Sequence, residues 1–290
     1  MSIIFDSHCH PQFPQYDSDR EEMIKRNLDK GVSMIAVGAD LETSKQAIEL
    51  ANKYDSSPSP DGFGRAGIWA TVGLHPDEIK DDFKIEDYKI LATDKKVVAI
   101  GEVGLDYYRK EKEQSFDQIK TRQKEVFKQF LDLAIQYDKP VVLHARDAGK
   151  GSIGKVHADM IEILNTKYLI PNTNLRGVAH SFTGSIEEAQ KYLDLGFYLG
   201  LNGIITFTKE YDELIKYLPL SKILIETDAP WLTPAPYRGN PNLPKMEDGR
   251  VRNEPFGVIE VAKKIALLKN IPFEMVVEEA FINTQKLFKI

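Results

Sequence analysis

The strongest chemical feature of the sequence is a pair of histidines near its amino-terminal end, in the segment His8-Cys9-His10. Residues two apart in an extended strand project to the same side, about 6–7 Å apart along the chain, so both imidazoles can reach one metal ion. Taken alone, the pair is also compatible with two solvated histidines at a strand end. Cys9 points the opposite way under this alternation, and we expect it to be a small buried packing residue rather than a ligand or nucleophile.

Four more residues of ligand type are candidates for the same centre, namely Glu102, His144, His180 and Asp228. Together the four histidines and two carboxylates exceed what one tetrahedral ion needs, so we expect two divalent ions. Glu102 is the predicted bridge, because a glutamate can join two ions about 3.5–4 Å apart. Asp228 is the predicted general base, because a carboxylate beside both metal and water can accept a proton. Imidazole-rich ligation suits Zn²⁺, Mn²⁺ or Fe²⁺.

A second set of residues is predicted to surround this centre, and most of them have a structural alternative. His75 is expected to contact a substrate phosphate or leaving group, or else to be a hydrogen-bonded structural residue. Arg109 and Arg146 would hold a phosphate in a bidentate fork, or form ion pairs at the rim. Asn202 is expected to contact substrate, and Glu226 to orient a ligand histidine or to be purely structural.

Short apolar, β-branched runs recur along the chain with helical patterns between them, which is typical of repeated βα units. Most runs are almost continuously apolar, as expected of parallel strands buried on both faces. Eight such units in 290 residues indicate an α/β fold, and they favour a (β/α)8 TIM barrel rather than an open sheet. The barrel is expected to form a single domain that spans residues 1–290. The predicted strands are Ile3–Ser7, Ser33–Gly38, Ile68–Gly73, Val97–Gly101, Pro140–Leu143, Arg176–Ala179, Phe197–Leu201 and Lys222–Glu226.

Helical patterns separate and follow these strands. The clearest is Asp117–Tyr137, which has one apolar stripe at three- and four-residue steps. Ser185-Ile186-Glu187-Glu188 predicts a capping box ahead of a helix that ends at Asp194. Two more helices, Pro255–Lys269 and Pro272–Phe288, are each opened by an early proline.

The predicted barrel explains how residues far apart in sequence can form one centre. The candidate ligands fall just beyond the carboxyl ends of predicted strands, and in a barrel these ends converge on one mouth, where active sites of the fold lie. His157 is the exception among the histidines, since it begins a helical pattern between Lys155 and Asp159. We expect it to lie on the surface.

The bulk properties restrict the class of protein. No run approaches the roughly 18 apolar residues needed to cross a bilayer, and the first residues do not resemble a signal peptide. The single cysteine excludes an internal disulfide. We therefore expect a cytoplasmic protein without membrane contact, and a nuclear location is also compatible. The net charge of −6 argues against a broad basic surface. It does not exclude phosphate binding, because two divalent ions would add about +4 locally.

Several phrases of the sequence run in order over nearly the whole chain and together resemble one family. They are Phe5–His10, Gly73–Pro76, Gly101–Arg109, Pro140–Arg146, His180–Gly184 and Glu226–Leu232, followed by Arg252–Pro255 and by Asn283-Thr284 with Leu287-Phe288. These phrases closely resemble the TatD family of metal-dependent deoxyribonucleases. Each phrase alone would be weak, whereas the ordered set is highly specific.

The resemblance implies a TIM barrel of the wider amidohydrolase group with a two-ion centre. By this analogy His8, His10 and Asp228 hold one ion, His144 and His180 hold the other, and Glu102 bridges them. The resemblance also implies that the ions are Mg²⁺, Mn²⁺ or Zn²⁺. It further implies that the substrate is DNA, as single strands or 3′ ends, cleaved at phosphodiester bonds from the 3′ end.

Three features depart from the family pattern. Ser181 stands where the family often has a cysteine after the histidine, but that position is not a metal ligand in the family. The loops Ala148–His157 and Gly239–Val251 are longer than in compact members and would shape the cleft. The second of these lies within Arg238–Arg252, which has a mild positive excess. That segment is expected to be a solvated loop or a loop that follows a nucleic-acid backbone.

Two other functions compete with the deoxyribonuclease hypothesis. An amidohydrolase-type enzyme would use the same centre on a small ester, lactone or amide, although such relatives commonly bridge their ions with a lysine where this chain has Glu102. A barrel retained only for binding partners would be expected to have lost ligands. All six expected ligand positions are filled, which disfavours that hypothesis.

Overall fold

The structure is a computed structural model that describes residues 4–54, 66–108, 116–147, 155–168 and 174–290. Over these ranges eight parallel strands pair in the order of the sequence. They are β1 (Ile4–Cys9), β2 (Val32–Ala36), β3 (Ile68–Val72), β4 (Val97–Asp106), β5 (Val141–Arg146), β6 (Gly177–Ala179), β7 (Tyr198–Leu201) and β8 (Ile223–Ile225).

The sheet closes between its first and last strands. The backbone N–H of Asp228 donates to the carbonyl of His8 over 2.9 Å, and that of His10 donates to the carbonyl of Ala229 over 2.8 Å. Cys9 and Ala229 form a parallel bridge at the same place. A closed ring of eight parallel strands with intervening helices is a TIM barrel, so the predicted fold class is confirmed.

Helices lie between the strands and after the last one. The predicted helices are confirmed to within a few residues, and the predicted capping box joins Ser185 and Glu188. The helix expected from Pro255 begins at Val258, because Pro255–Gly257 form a 3-10 turn. No helix in the described ranges combines the length and apolarity that crossing a membrane requires. The helices are α1 (Arg20–Leu28), α2 (Leu41–Lys53), α3 (Ile85–Leu91), α4 (Phe116–Gln136), α5 (Lys155–Ile163), α6 (Ile186–Asp194), α7 (Asp212–Tyr217), α8 (Val258–Lys269) and α9 (Phe273–Phe288).

Three strands run further than the sequence predicts. β1, β4 and β5 each continue past their predicted ends, so His8, Glu102 and His144 lie inside strands rather than beyond them. The second half of β4 stays paired with β5 after a local irregularity in register. The two glycines at 101 and 104 interrupt the apolar pattern there, which is why the strand seemed to end at Gly101.

An apolar layer supports the mouth of the barrel from within. Val142, Val178 and Leu224 are buried members of one cluster. Each of them lies two positions before a residue of the candidate site, namely His144, His180 and Glu226. Residues two apart in an extended strand project to the same face, so each apolar side chain lies beneath its site residue. The candidate ligands therefore project from a packed floor, which restricts their movement.

Two further predictions can be judged from burial. Cys9 is fully buried in the core, as predicted. The surface position predicted for His157 is wrong, because this residue is only 4% exposed and its Nδ1 lies 3.1 Å from the hydroxyl of Tyr192. His157 shares a stripe of α5 with Met160 and Ile161, and that stripe faces the core. The predicted loop Ala148–His157 lies largely outside the described residues.

Candidate metal centre

Glu102 lies between two groups of histidines at the mouth of the barrel. Its Oε2 is 3.5 Å from His8 Nε2 and 3.9 Å from His10 Nε2. Its Oε1 is 2.5 Å from His144 Nδ1 and 2.7 Å from His180 Nε2. The two carboxylate oxygens thus face separate pairs of imidazoles, as a bridging glutamate would.

The spacing of the donor atoms suits metal ions. Two ligands that each lie about 2.1 Å from a tetrahedral ion are about 3.4 Å apart. His8 Nε2 and His10 Nε2 are 3.3 Å apart, and so are His144 Nδ1 and His180 Nε2. Asp228 Oδ1 is 3.5 Å from His10 Nε2 and 3.8 Å from His8 Nε2. Two clusters of potential metal ligands, His8 with His10 and His144 with His180, therefore share Glu102.

Hydrogen bonds on the outer side of two of the rings, those of His10 and His144, orient them toward the centre. His10 Nδ1 donates to the carbonyl of Val37 over 2.8 Å, which leaves the lone pair of Nε2 facing the centre. His144 Nε2 is 2.9 Å from Asp106 Oδ2, which leaves Nδ1 facing Glu102. A histidine nitrogen with a free lone pair is the form that binds a cation.

Glu226 occupies the corresponding position behind His180. Its Oε1 lies 3.4 Å from His180 Nδ1 and accepts a hydrogen bond of 2.6 Å from the backbone N–H of Ser181. Asn202 extends this chain, since its Nδ2 donates to Ser181 Oγ over 2.8 Å and its Oδ1 accepts from the N–H of Ile204. Asn202 is fully buried, and both of its side-chain polar atoms take part in these hydrogen bonds, so it supports the segment after His180.

The carboxylates of the centre are held in their charged form. Burial raises the pKa of Glu102, but His180 and His144 outweigh it and hold that pKa well below its usual range. Burial likewise raises the pKa of Asp228, and the hydrogen bond from His10 with the charge of His180 lowers it overall. Two ionised carboxylates among imidazoles are an environment that attracts divalent cations.

The residues predicted to contact substrate differ in how far they lie from the centre and in how exposed they are. His75 Nε2 is 4.0 Å from Glu102 Oε1, its ring packs edge-on against His144, and burial and His144 lower its pKa to about 3. His75 is therefore a neutral imidazole beside the centre at neutral pH. Arg146 is exposed, and its guanidinium carbon lies 3.8 Å from the ring centroid of Tyr108. Arg109 falls outside the described residues.

Two buried carboxylates near the centre were missed by sequence reasoning. Asp106 contacts His144 as described. It lies four residues after Glu102 on the same face of β4. The predicted strand ended at Gly101, so this alternation was not recognised. Asp6 Oδ1 accepts from the N–H groups of Thr227 and His8 over 2.9 and 3.3 Å, which ties β1 to the segment that carries Asp228. The alternation of residues 6, 8 and 10 could have indicated it.

A TIM barrel whose mouth gathers histidines and carboxylates in this way defines the class of metal-dependent hydrolase barrels. Comparison with known proteins gives the family. The model of the family described as TatD related DNase matches residues 5–289, so the chain belongs to the TatD family.

The similar proteins cover nearly the whole chain. The uncharacterized metal-dependent hydrolase YabD of Bacillus subtilis is 36% identical, over 99% of this chain and 100% of that protein. A putative deoxyribonuclease TATDN1 homolog of Encephalitozoon cuniculi is 33% identical, over 94% of this chain and 89% of that protein. The crystal structure of YjjV, a TatD homolog from Escherichia coli K12, has a TM-score of 0.79 at 27% identity and covers 99% of this chain and 98% of that chain. The chain is therefore a metal-dependent hydrolase of the TatD family.

Proposed function

We propose that the protein is a divalent-metal-dependent deoxyribonuclease, which hydrolyses phosphodiester bonds of DNA from the 3′ end with two ions. The observation that carries the proposal is the position of Glu102, which faces a separate pair of histidines with each carboxylate oxygen. Two cations held side by side suit a phosphate, whose attacking and leaving oxygens both need stabilisation.

The chain would divide its ligands between the two ions. His8, His10 and Asp228 would hold one, and His144 and His180 the other, with Glu102 shared. Mg²⁺, Mn²⁺ or Zn²⁺, when bound, would supply Lewis acidity toward the phosphate and lower the pKa of water.

Asp228 is the group we assign to proton transfer. Its side chain is 17% exposed, more than the 5% of Glu102, so water reaches it from the mouth. Its pKa is lowered, so the carboxylate is ionised, and a bound cation would acidify the attacking water enough to offset the weaker basicity of Asp228. His75, neutral and next to the centre, is placed to donate a hydrogen bond to a substrate oxygen.

DNA as the substrate is supported by the names of similar proteins and by one cation at the mouth. The family model is described as TatD related DNase, and the Encephalitozoon cuniculi relative as a putative deoxyribonuclease. Arg146 follows His144 by two residues on β5, and its guanidinium is exposed on the ring of Tyr108. A guanidinium at this position can present its N–H donors to a phosphate.

The test compares substrates and variants of the full chain. Protein stripped with chelator and reloaded with Mg²⁺, Mn²⁺ or Zn²⁺ is given end-labelled oligonucleotides and a panel of small esters, lactones and amides. We expect shortening from the 3′ end and a loss of about 10²–10⁴-fold in kcat for Asp228→Asn. Glu102→Gln should lower the metal content, measured by elemental analysis.

Exposed Glu86 on α3 provides the matched control, because Glu86→Gln makes the same chemical change at a side chain whose ion pair is with Lys89 of its own helix. Cleavage of the small esters or amides with intact oligonucleotides would favour the amidohydrolase-type alternative. Wild-type activity in both site variants would refute the assignment of the centre.

A further inference from the structure

We propose a second contact for the nucleic-acid strand at the rim of the barrel mouth, formed by Phe207 and Arg238. This platform would bind a nucleotide away from the cleaved bond, without preference for its base. The inference rests on the proposed deoxyribonuclease function and adds to it a subsite that selects longer single strands.

The platform is an exposed cation stacked on an exposed ring. The guanidinium carbon of Arg238 lies 3.9 Å from the ring centroid of Phe207. Phe207 is 39% exposed. The other exposed large apolar side chains of the described residues lie on outer helices, whereas Phe207 follows the carboxyl end of a strand. Exposure of an aromatic ring to water is unfavourable in free energy, and a ligand that stacks at the active-site end of the barrel would reduce this exposure.

Arg238 differs from the other arginines of its loop. Arg250 is paired with Asp248, its Nε donating to Oδ2 over 2.7 Å. Arg252 is 4% exposed and is held by Asp19. In the described part of the chain, the guanidinium of Arg238 has no carboxylate within ion-pair distance and its side chain is exposed. Its charge therefore remains available to a phosphate.

The platform is tied to the metal centre through the loop after β7. Asn202, which contacts Ser181 beside His180, caps the 3-10 turn Gly203–Thr206, and Phe207 follows directly. Five residues at about 2.0 Å each place Phe207 about 10 Å from Asn202. The platform therefore lies one short turn beyond the residue that supports the segment after His180.

The loop after β8 is fixed against the same turn. Thr206 Oγ1 accepts a hydrogen bond of 2.9 Å from the N–H of Ala235, three residues before Arg238. Gly203 lies so close to the carbonyl oxygen of Leu232 that a Cβ would be 2.0 Å from it. These contacts hold the guanidinium over the ring before any strand binds, which reduces the entropy lost on binding.

The chemistry of the pair suits a single strand. Unpaired bases stack on aromatic rings and on guanidinium planes, and every base has a suitable face. The N–H edge of the same guanidinium can donate to the adjacent phosphate. One residue pair can thus hold both the base and the backbone of one nucleotide. The platform would therefore favour longer DNA strands over shorter ones, without favouring a particular base sequence.

The experiment measures how each variant affects binding of a long and a short DNA substrate that undergo the same cleavage. The Mn²⁺-loaded full chain and its variants are given a DNA dinucleotide and a single-stranded decamer with the same 3′ end. Arg238→Gln and Phe207→Leu should raise the KM for the decamer about five- to thirty-fold more than the KM for the dinucleotide. Arg238→Gln should also reduce the slope of log KM against log salt by about 0.7. Arg250→Gln, in the same loop, should change neither quantity.

A binding measurement keeps this inference separate from the proposed function. Anisotropy titrations with a labelled, non-cleavable phosphorothioate decamer need no catalysis. If the wild-type chain cleaves no DNA, the proposed function fails, whereas weaker decamer binding by Arg238→Gln would still support the platform. Equal binding by the wild type, Arg238→Gln and Phe207→Leu, or equal KM changes for both lengths, would overturn it.

Discussion

Asp106 Oδ2 lies 2.9 Å from His144 Nε2, on the side of the imidazole that faces away from Glu102. Asp106 is itself 1% exposed, and its Oδ1 accepts a hydrogen bond of 2.7 Å from the N–H of Tyr108. A carboxylate fixed in this way keeps the proton of His144 on Nε2. Nδ1 therefore points into the centre, where it can lose its own proton to bind a cation.

Asp106→Asn is expected to weaken metal binding without touching a ligand. The amide can donate to His144 Nε2 and so favour the tautomer that carries its proton on Nδ1. Changes of this kind typically cost about 10–100-fold in metal affinity. Competition with a fluorescent chelator would measure the affinity for Zn²⁺ or Mn²⁺, and Glu86→Gln on outer helix α3 is the control. Unchanged affinity in Asp106→Asn would show that Asp106 does not control the tautomer.

Asp106 also shows where sequence reasoning stops. The barrel was predictable because each strand and helix leaves its own local periodicity, and the ligand candidates followed from positions near strand ends. The extent of β4 depends on its pairing with β5, which no local pattern records. The strand seemed to end at Gly101, so Asp106 was not recognised as a neighbour of Glu102. His157 was misplaced for a related reason, because its charged neighbours concealed the apolar stripe to which it belongs.

Removal of divalent ions is expected to lower the stability of the fold. A cation at a hundred times its Kd stabilises the native state by about 2.7 kcal/mol. For a chain of this size that corresponds to a rise in Tm of about 5 °C. Melting curves recorded by circular dichroism with EDTA, and again with excess Mn²⁺, measure the difference. Glu102→Gln should show a smaller shift, and an identical Tm in both buffers for the wild type would contradict a resident metal.

His157 is expected to be important for stability rather than activity. Its imidazole is buried between α5 and α6, where Nδ1 contacts the hydroxyl of Tyr192 and the ring packs against Phe182. His157→Ala would leave a cavity and an unpaired hydroxyl, at a cost of about 2–4 kcal/mol. Tyr192→Phe, which removes only the hydroxyl, should cost about 1 kcal/mol.

Urea denaturation of both variants would measure these losses in the free energy of unfolding. Glu162→Ala is the matched control, because Glu162 lies on the exposed face of the same helix. It should change the free energy by less than about 0.5 kcal/mol. If His157→Ala lowers the free energy of unfolding no more than Glu162→Ala does, the buried contact does not contribute to stability.

Asp138 joins three segments at the end of the barrel opposite the metal centre. Its Oδ1 is 2.8 Å from Arg176 Nη1, and its Oδ2 is 2.6 Å from Nζ of Lys289, just after α9. The hydrogen bonds from Lys289 and Arg176 lower the pKa of Asp138 to about 2. Because the side chain is 53% exposed, solvent screens the pair, and we expect a contribution of less than about 1 kcal/mol.

The sign of the pH dependence follows from the lowered pKa. The unfolded chain binds a proton at Asp138 near pH 3.9, before the folded chain does, so the contribution is complete above about pH 4. It is then lost as the pH falls toward the folded pKa of about 2. Urea midpoints for the wild type and Asp138→Asn should differ by a constant amount from pH 7 to pH 5 and converge below pH 4. A difference that persists unchanged at pH 3 would show that the contacts of Asp138 act through packing, not through its charge.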